Sequence, residues 1–276
     1  MKKRVLVSVI VIPVLVFFIY APYVQGLLFT LFIIALCILA AYEIHRLTGN
    51  IVSFKRKGAS LFWFVVPPLL LLGAGITNRF VNTTTGAMLY TAAGIAAGLC
   101  AITIAVYGLK EGIRRLPFHC TSFGYVGVCT LLLLQLHEGY RGFMHIYFIL
   151  FTAWVNDAAA YIIGSRFGRT RGVIACSPNK SVEGYVGAFV VTMILVNGFK
   201  LAFRAGFEPT LLQSNLLGFC IALTAPLGDL MESCYKRKAG VKDSSALFPE
   251  LGGVLDIFDS VLFSVPVYYI FVSYIF

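Results

Sequence analysis

Charge is what this chain has least of. Only 12% of its 276 residues are charged, while 59% are hydrophobic, and mean hydropathy is +0.88. No polar stretch is long enough to form a soluble domain, and no internal repeat is visible. Alternation of polar and apolar residues is missing too, and runs such as LLFTLFIIALCILAA exclude a membrane β-barrel. Met1 to Tyr20 has a basic start and an apolar run, but no small-residue cleavage site follows, which marks an uncleaved first span. The seven cysteines (37, 100, 120, 129, 176, 220 and 234) show no CxxC pairing. Thiols buried in the membrane or facing the cytoplasm stay reduced, so neither a disulfide framework nor a zinc site is expected.

What is present is apolar sequence in membrane-sized pieces. Nine runs, at about 5–24, 27–44, 60–77, 85–107, 121–137, 143–163, 183–203, 211–231 and 254–275, each suffice to cross the hydrocarbon core as a helix. Backbone groups in lipid must be satisfied within their own segment, so the expected class is all-α, a polytopic integral membrane protein of about nine transmembrane helices. With a cytoplasmic N-terminus, eighteen lysines and arginines fall inside, and only Arg79, Arg141, Lys200 and Arg204 fall outside. The net charge of +10 is therefore topological, with anionic membrane lipids as neighbours and no nucleic acid as partner. The organisation expected is an N-terminal transmembrane region over 1–120 and a catalytic transmembrane region over 121–276, with cytoplasmic loops at 164–182 and 232–253. The first half has few acids, Glu43 and Glu111 among them, and its small residues suit close helix packing.

Acid is concentrated instead in one stretch. Six of the twelve carboxylates lie between Gly228 and Asp259: Asp229, Glu232, Asp243, Glu250, Asp256 and Asp259. Ionisable groups near a bilayer are costly, about 2.5–3.5 kcal/mol each at a helix centre on insertion scales, so such a concentration points to function. Asp229 and Glu232 stand three apart at the end of one span, and Asp256 and Asp259 repeat that spacing at the start of the next. Lys236, Arg237, Lys238, Lys242 and Asp243 lie between them. Two carboxylate-bearing helix ends joined by a basic loop suit a divalent cation with a polyphosphate, and hard carboxylate oxygens favour Mg²⁺. Two further constellations face the same side. Asn156 and Asp157 interrupt an apolar span, serving a polar cleft or an interhelical hydrogen bond. The loop GSRFGRTRGVIACSPNKSVEG offers Arg166, Arg169, Arg171 and Lys180 to phosphate, and Ser177 and Ser181 at a helix start.

The order Ser233-Cys-Tyr-Lys236-Arg237, Lys242-Asp243-Ser-Ser, Pro249, Gly252-Gly253 and Asp256 to Asp259 resembles the signature of phosphatidate cytidylyltransferases, the CDP-diacylglycerol synthases. Gly228-Asp229, Glu232-Ser233, Asn156-Asp157, Gly168-Arg169-Thr170, Ser177-Pro178, Lys180-Ser181 and Glu183-Gly184 fit the same pattern, which covers roughly 152–265. The resemblance implies that CTP and phosphatidate react to CDP-diacylglycerol and pyrophosphate. It also implies a helical homodimer in the cell membrane with a polar cavity facing the cytoplasm. Asp229 and Asp256 match the family's metal ligands, implying Mg²⁺ as cofactor, with a second cation as an option. Lys180, Lys236, Arg237 and Lys242 would then stabilise phosphate and departing pyrophosphate, while Asp157, Glu232, Asp243 and Asp259 orient cations or line the site.

The chemistry is consistent with that set. A phosphate monoester is already an anionic nucleophile, so no base is needed, and none of the histidines at 45, 119, 137 and 145 lies in the candidate site. Two positions depart from the pattern: Leu251 stands where the family has His, and Ile257 where it has Arg. Lys238, Arg171 or another residue would have to compensate. The rival readings are a secondary transporter, which favours midplane polar groups and paired repeats, and a catalytically degenerate relative with a scaffolding role.

Overall fold

Backbone amides in hydrocarbon find no water to bond, and the chain meets that requirement with helix after helix. The structure, a computed structural model, describes residues 25–52, 57–81, 85–202, 209–248 and 251–275. The expected first span at 5–24, and Pro249 and Glu250, lie outside the described residues. The helices are α1 (Gln25–Ile51), α2 (Lys57–Val81), α3 (Thr85–Thr121), α4 (Cys129–Glu138), α5 (Gly142–Phe167), α6 (Val182–Ala202), α7 (Leu211–Lys238) and α8 (Val254–Ile270). Two π-helical segments, Ser122–Val128 and Phe271–Ile275, continue α3 into α4 and extend α8. Among the described residues, strand pairing amounts to two isolated bridges, Arg171 with Ser181 and Phe248 with Gly252.

Among the described residues, six stretches are long and apolar enough to cross a membrane: Gly26–Ile51, Ala92–Glu138, Gly142–Phe167, Val182–Leu201, Leu211–Lys238 and Val254–Ile275. Leu61–Thr77, where another span is expected, is apolar but shorter. The protein is thus all-helical and polytopic. Two of the expected spans, 85–107 and 121–137, share one long helical stretch. Gly108 breaks it with φ 76° and ψ 165°, directly after the expected end of the first. The residues between, expected as a loop, are helical, and Glu111 pairs there with Arg114 and Arg115, each at 3.7 Å, along one helix face.

The chain divides into two compact units: Met1–Gln135 with Lys238–Leu255, and Leu136–Arg237 with Asp256–Phe276. In the first unit the acid Glu43 of α1 is only 2% exposed. It accepts hydrogen bonds from the hydroxyls of Ser244 and Ser245 and from the backbone amides of Val254 and Leu255.

In the second unit α5 and α6 pack at glycines. A side chain on Gly184 would meet the Ala160 carbonyl oxygen at 2.6 Å and Gly164 Cα at 3.1 Å. The helices therefore touch backbone to backbone. Ile149, Ala153, Leu217, Ile221, Val261, Leu262 and Val265 fill the core of this unit. The Trp154 indole N–H donates to the Ile257 carbonyl at 3.0 Å, tying α5 to α8.

The cysteine expectation is corrected here. Cys176 and Cys234 form a disulfide, with Cα atoms 4.9 Å apart and a sequence separation of 58. The 168–181 loop folds back onto α7 and brings the two together, which no spacing motif announces. Cys37, Cys100, Cys120, Cys129 and Cys220 remain thiols.

Candidate active site

The loop between α5 and α6 is built by local hydrogen bonds. Ser181 caps α6, its hydroxyl accepting the Gly184 amide at 3.2 Å, as the helix-start pattern predicts. The Glu183 carboxylate turns back to take the Thr170 amide at 3.0 Å and its hydroxyl at 2.9 Å. Arg171 points its guanidinium at the end of α5, donating to the carbonyls of Gly164 at 2.9 Å and Gly168 at 3.3 Å. A cation there complements the helix dipole. Two of its donor groups are thus committed to a helix end, which limits the phosphate role expected of it and its candidacy as the missing arginine's substitute.

That loop delivers Lys180 to α7. Its ammonium is ion-paired with the Asp229 carboxylate, whose other oxygen accepts from the Ser233 hydroxyl at 3.3 Å. Lys180 also lies 5.8 Å from the Tyr185 ring centroid. Burial works to lower the Lys180 pKa, but the Asp229 carboxylate and its hydrogen bond outweigh burial and leave it above the ordinary lysine value. Lys180 is a fixed positive charge at neutral pH.

One helical turn beyond Ser233, Lys236 bridges two acids. Its ammonium lies 2.6 Å from a Glu232 oxygen and 2.5 Å from an Asp256 oxygen, linking α7 to the first turn of α8. Glu232 is buried, at 3% side-chain exposure, while Lys236 and Asp256 are partly covered, at 12% and 8%. The second Glu232 oxygen, Oε1, is buried with no hydrogen-bond partner. Asp259 is buried as well, one oxygen taking the Ser260 amide at 2.6 Å and the Ser260 hydroxyl at 3.2 Å. It lies within electrostatic reach of Asp229, Asp157 and Lys236. Asp157 in turn interacts with Ser260, Asp229 and Lys180.

Seven of the expected residues therefore form one network in one unit: Asp157, Lys180, Asp229, Glu232, Lys236, Asp256 and Asp259. Arg237 lies exposed on the last turn of α7. Lys242 and Asp243 are exposed and belong to the other unit. Lys238, suggested as a substitute cation, sits 5.9 Å from the Phe118 ring in that other unit. Asn156 divides its amide: Nδ2 donates to Thr192 at 2.8 Å across to α6, and Oδ1 is buried without a partner.

A cavity of about 340 Å³ opens beside the network, walled by Asn156, Asp157, Lys180, Asp229, Tyr161 and Tyr185 among others. That size lies in the range of small-molecule sites. The two tyrosines escape a reading of charged motifs because they sit in apolar spans. Their i, i+4 relation to Asp157 and to Ser181 is the signal that could have found them.

The donor set fits a hard cation. Asp157, Asp229, Glu232, Asp256 and Asp259 outnumber the lysines that pair with them, and Glu232 Oε1 is an unused acceptor. Among the described residues no three acidic, histidine or cysteine side chains form a ready cage. Mg²⁺ needs none, since it commonly takes one or two carboxylates and completes its shell with water and substrate phosphate. Asp229 and Asp256, matched to the family's metal ligands, are bound to two different lysines.

Comparison with known proteins supports the reading of the motifs. A family model described as "Cytidylyltransferase family" matches residues 2–275. A protein of Bacillus subtilis named phosphatidate cytidylyltransferase is 28% identical over 275 residues, covering 98% of this chain and 96% of its own. One of the same name from Thermotoga maritima is 29% identical over 279 residues, covering 98% and 95%. Another from Aquifex aeolicus is 37% identical over 146 residues, covering 53% of each chain.

Proposed function

The chain belongs to the cytidylyltransferase family, and we propose that it is a phosphatidate cytidylyltransferase of the bacterial cell membrane, making CDP-diacylglycerol for phospholipid synthesis. A phosphate oxygen of phosphatidate attacks the α-phosphorus of CTP. The bond from that phosphorus to the α–β bridging oxygen breaks, and pyrophosphate leaves with the electron pair. No proton is transferred, so the protein must chiefly overcome repulsion between two anions.

The observation that carries the reading is the Lys180–Asp229 ion pair on the cavity wall. It sets a permanent cation and a hard anionic ligand side by side, the two devices that a magnesium nucleotide requires. Lys180 neutralises phosphate charge, and Lys236, held by Glu232 and Asp256, supplies the second cation. In doing so Lys236 places positive charge on Asp256, beside the position where the family arginine is replaced by Ile257. Asp229 and Asp256 would hold Mg²⁺. Those two carboxylates would thereby bring electrostatic stabilisation to the charge growing at the α-phosphoryl group. Asp157, Glu232 and Asp259 keep the cations in place, and Arg237 meets the departing pyrophosphate. The cavity faces the cytoplasm, where CTP is made, and the enzyme works as a homodimer.

The test is release of pyrophosphate by the purified full-length chain in lipid. Release that requires CTP, phosphatidate and Mg²⁺ together supports the proposal. Release without phosphatidate, or none with all three, defeats it.

A further inference from the structure

Glu43 is the acid that motif reading leaves unused, and its surroundings are unlike those of a stray charge. It sits on α1, 2% exposed, among the apolar residues Ala40, Ala41, Ile44 and Leu47. An isolated carboxylate in such a place is costly unless its lone pairs are filled. Here they are filled by four donors. Oε1 takes the Ser245 hydroxyl at 2.6 Å and the Val254 amide at 3.0 Å, while Oε2 takes the Ser244 hydroxyl at 3.0 Å and the Leu255 amide at 2.8 Å.

Those donors are two points of the motif-bearing segment. Ser244 and Ser245 directly follow Lys242 and Asp243, and Val254 and Leu255 are the first residues of α8, directly before Asp256. A helix usually receives its cap from a Ser, Thr, Asp or Asn just ahead of it. The residues ahead of α8 are Gly252 and Gly253, which have no side chain to give, and Glu43 supplies the acceptor from a distant helix. The second glycine then has a steric reason. A Cβ on Gly253 would collide with the Glu43 carboxylate and the Ser244 hydroxyl. Gly252 adds a φ of 90°, open to glycine and strained for other residues.

We infer that Glu43 is a positioning residue for cytidylyl transfer: it clamps the Ser244–Ser245 turn to the N-terminus of α8 and, through the helix backbone, sets the register in which Asp256 is presented. Glu43 touches no substrate. The inference rests on the cytidylyltransferase reading, and it adds a role to a helix far in sequence from the motifs.

The test uses the full-length protein in lipid, comparing wild type with Glu43→Gln. Glutamine keeps the shape but turns one acceptor oxygen into a donor nitrogen; a serine hydroxyl can rotate to accept from it, but one of the two backbone amides loses its acceptor. The expected result is a kcat lower by roughly 10–100-fold, the scale of hydrogen bonds to a charged group, with KM for CTP little changed. Hydrogen exchange at the Val254 and Leu255 amides should quicken while amides in the middle of α8 keep their rates. General loosening would quicken them all. Should Glu43→Gln fail to fold, Ser245→Ala removes a single donor, and a kcat lowered at unchanged KM is again expected. Wild-type kcat in whichever variant folds, or uniform acceleration of exchange along α8, overturns the inference while the function stands. An inert wild type overturns the function and the inference with it.

Discussion

The Lys236 ammonium lies 2.5 Å from an Asp256 oxygen and 2.6 Å from a Glu232 oxygen, so one cation joins two acids on two helices. Charge at this depth is tolerable only because it is paired. Removing the middle member leaves two buried carboxylates facing each other.

Lys236→Met should therefore destabilise the protein by about 3–5 kcal/mol, the usual cost of stripping one partner from a buried pair. Thermal unfolding in detergent measures it. Combining Lys236→Met with Glu232→Gln should recover part of the loss, because the unpaired charge is then gone.

Asp229→Asn and Asp256→Asn should each lower kcat by roughly 100-fold or more, on the scale of losing one preorganised electrostatic element. Binding of Mn²⁺ followed by electron paramagnetic resonance should weaken in both. Near-normal turnover in both variants would remove the proposed metal ligands.

Lys180 gives a pH dependence of definite sign. Its folded pKa lies above the ordinary lysine value of 10.5 because Asp229 outweighs the effect of burial. The native state therefore holds this proton more tightly than the unfolded chain, and the stabilisation is complete below 10.5. It fades as pH rises through the folded value. Alkaline titration of stability should show a decline starting above 10.5 that Lys180→Gln lacks. Turnover should show no Lys180 titration between pH 7 and 9, ~1.5 units or more below the group's own range.

Cys234→Ser should lower stability by about 2–4 kcal/mol under non-reducing conditions, the typical contribution of a disulfide. With a strong reductant present, wild type and variant should melt together. Peptide mapping without reduction should recover residues 176 and 234 in one cross-linked species.

Much of the architecture was legible because membrane burial writes itself into long apolar runs. α5, α6, α7 and α8 fall where those runs predict them, since each run is closed by charge or by turn-forming residues. The acids from Asp229 to Asp259 were legible for the opposite reason, being conspicuous against an apolar background. Contacts between distant positions were not. The Cys176–Cys234 disulfide spans 58 residues, and the Glu43 bonds to Val254 and Leu255 span 211 and 212. One acid in one apolar helix makes no pattern, and its meaning appears only with the four donors around it. Arg171 shows a contact of the same hidden kind: its guanidinium donates to the carbonyls of its own helix end, which a loop arginine does not announce.

Where α5 and α6 touch at Gly164 and Gly184, nothing is left to compress. A methyl group at Gly184 would act as a wedge at the root of the loop that carries Lys180. Prising the hairpin apart there would draw the ammonium away from Asp229 before any nucleotide arrived. The smallest residues in this unit thus govern the alignment of its largest charges, and a sequence drifting at those two glycines would lose its chemistry while keeping every ionisable group.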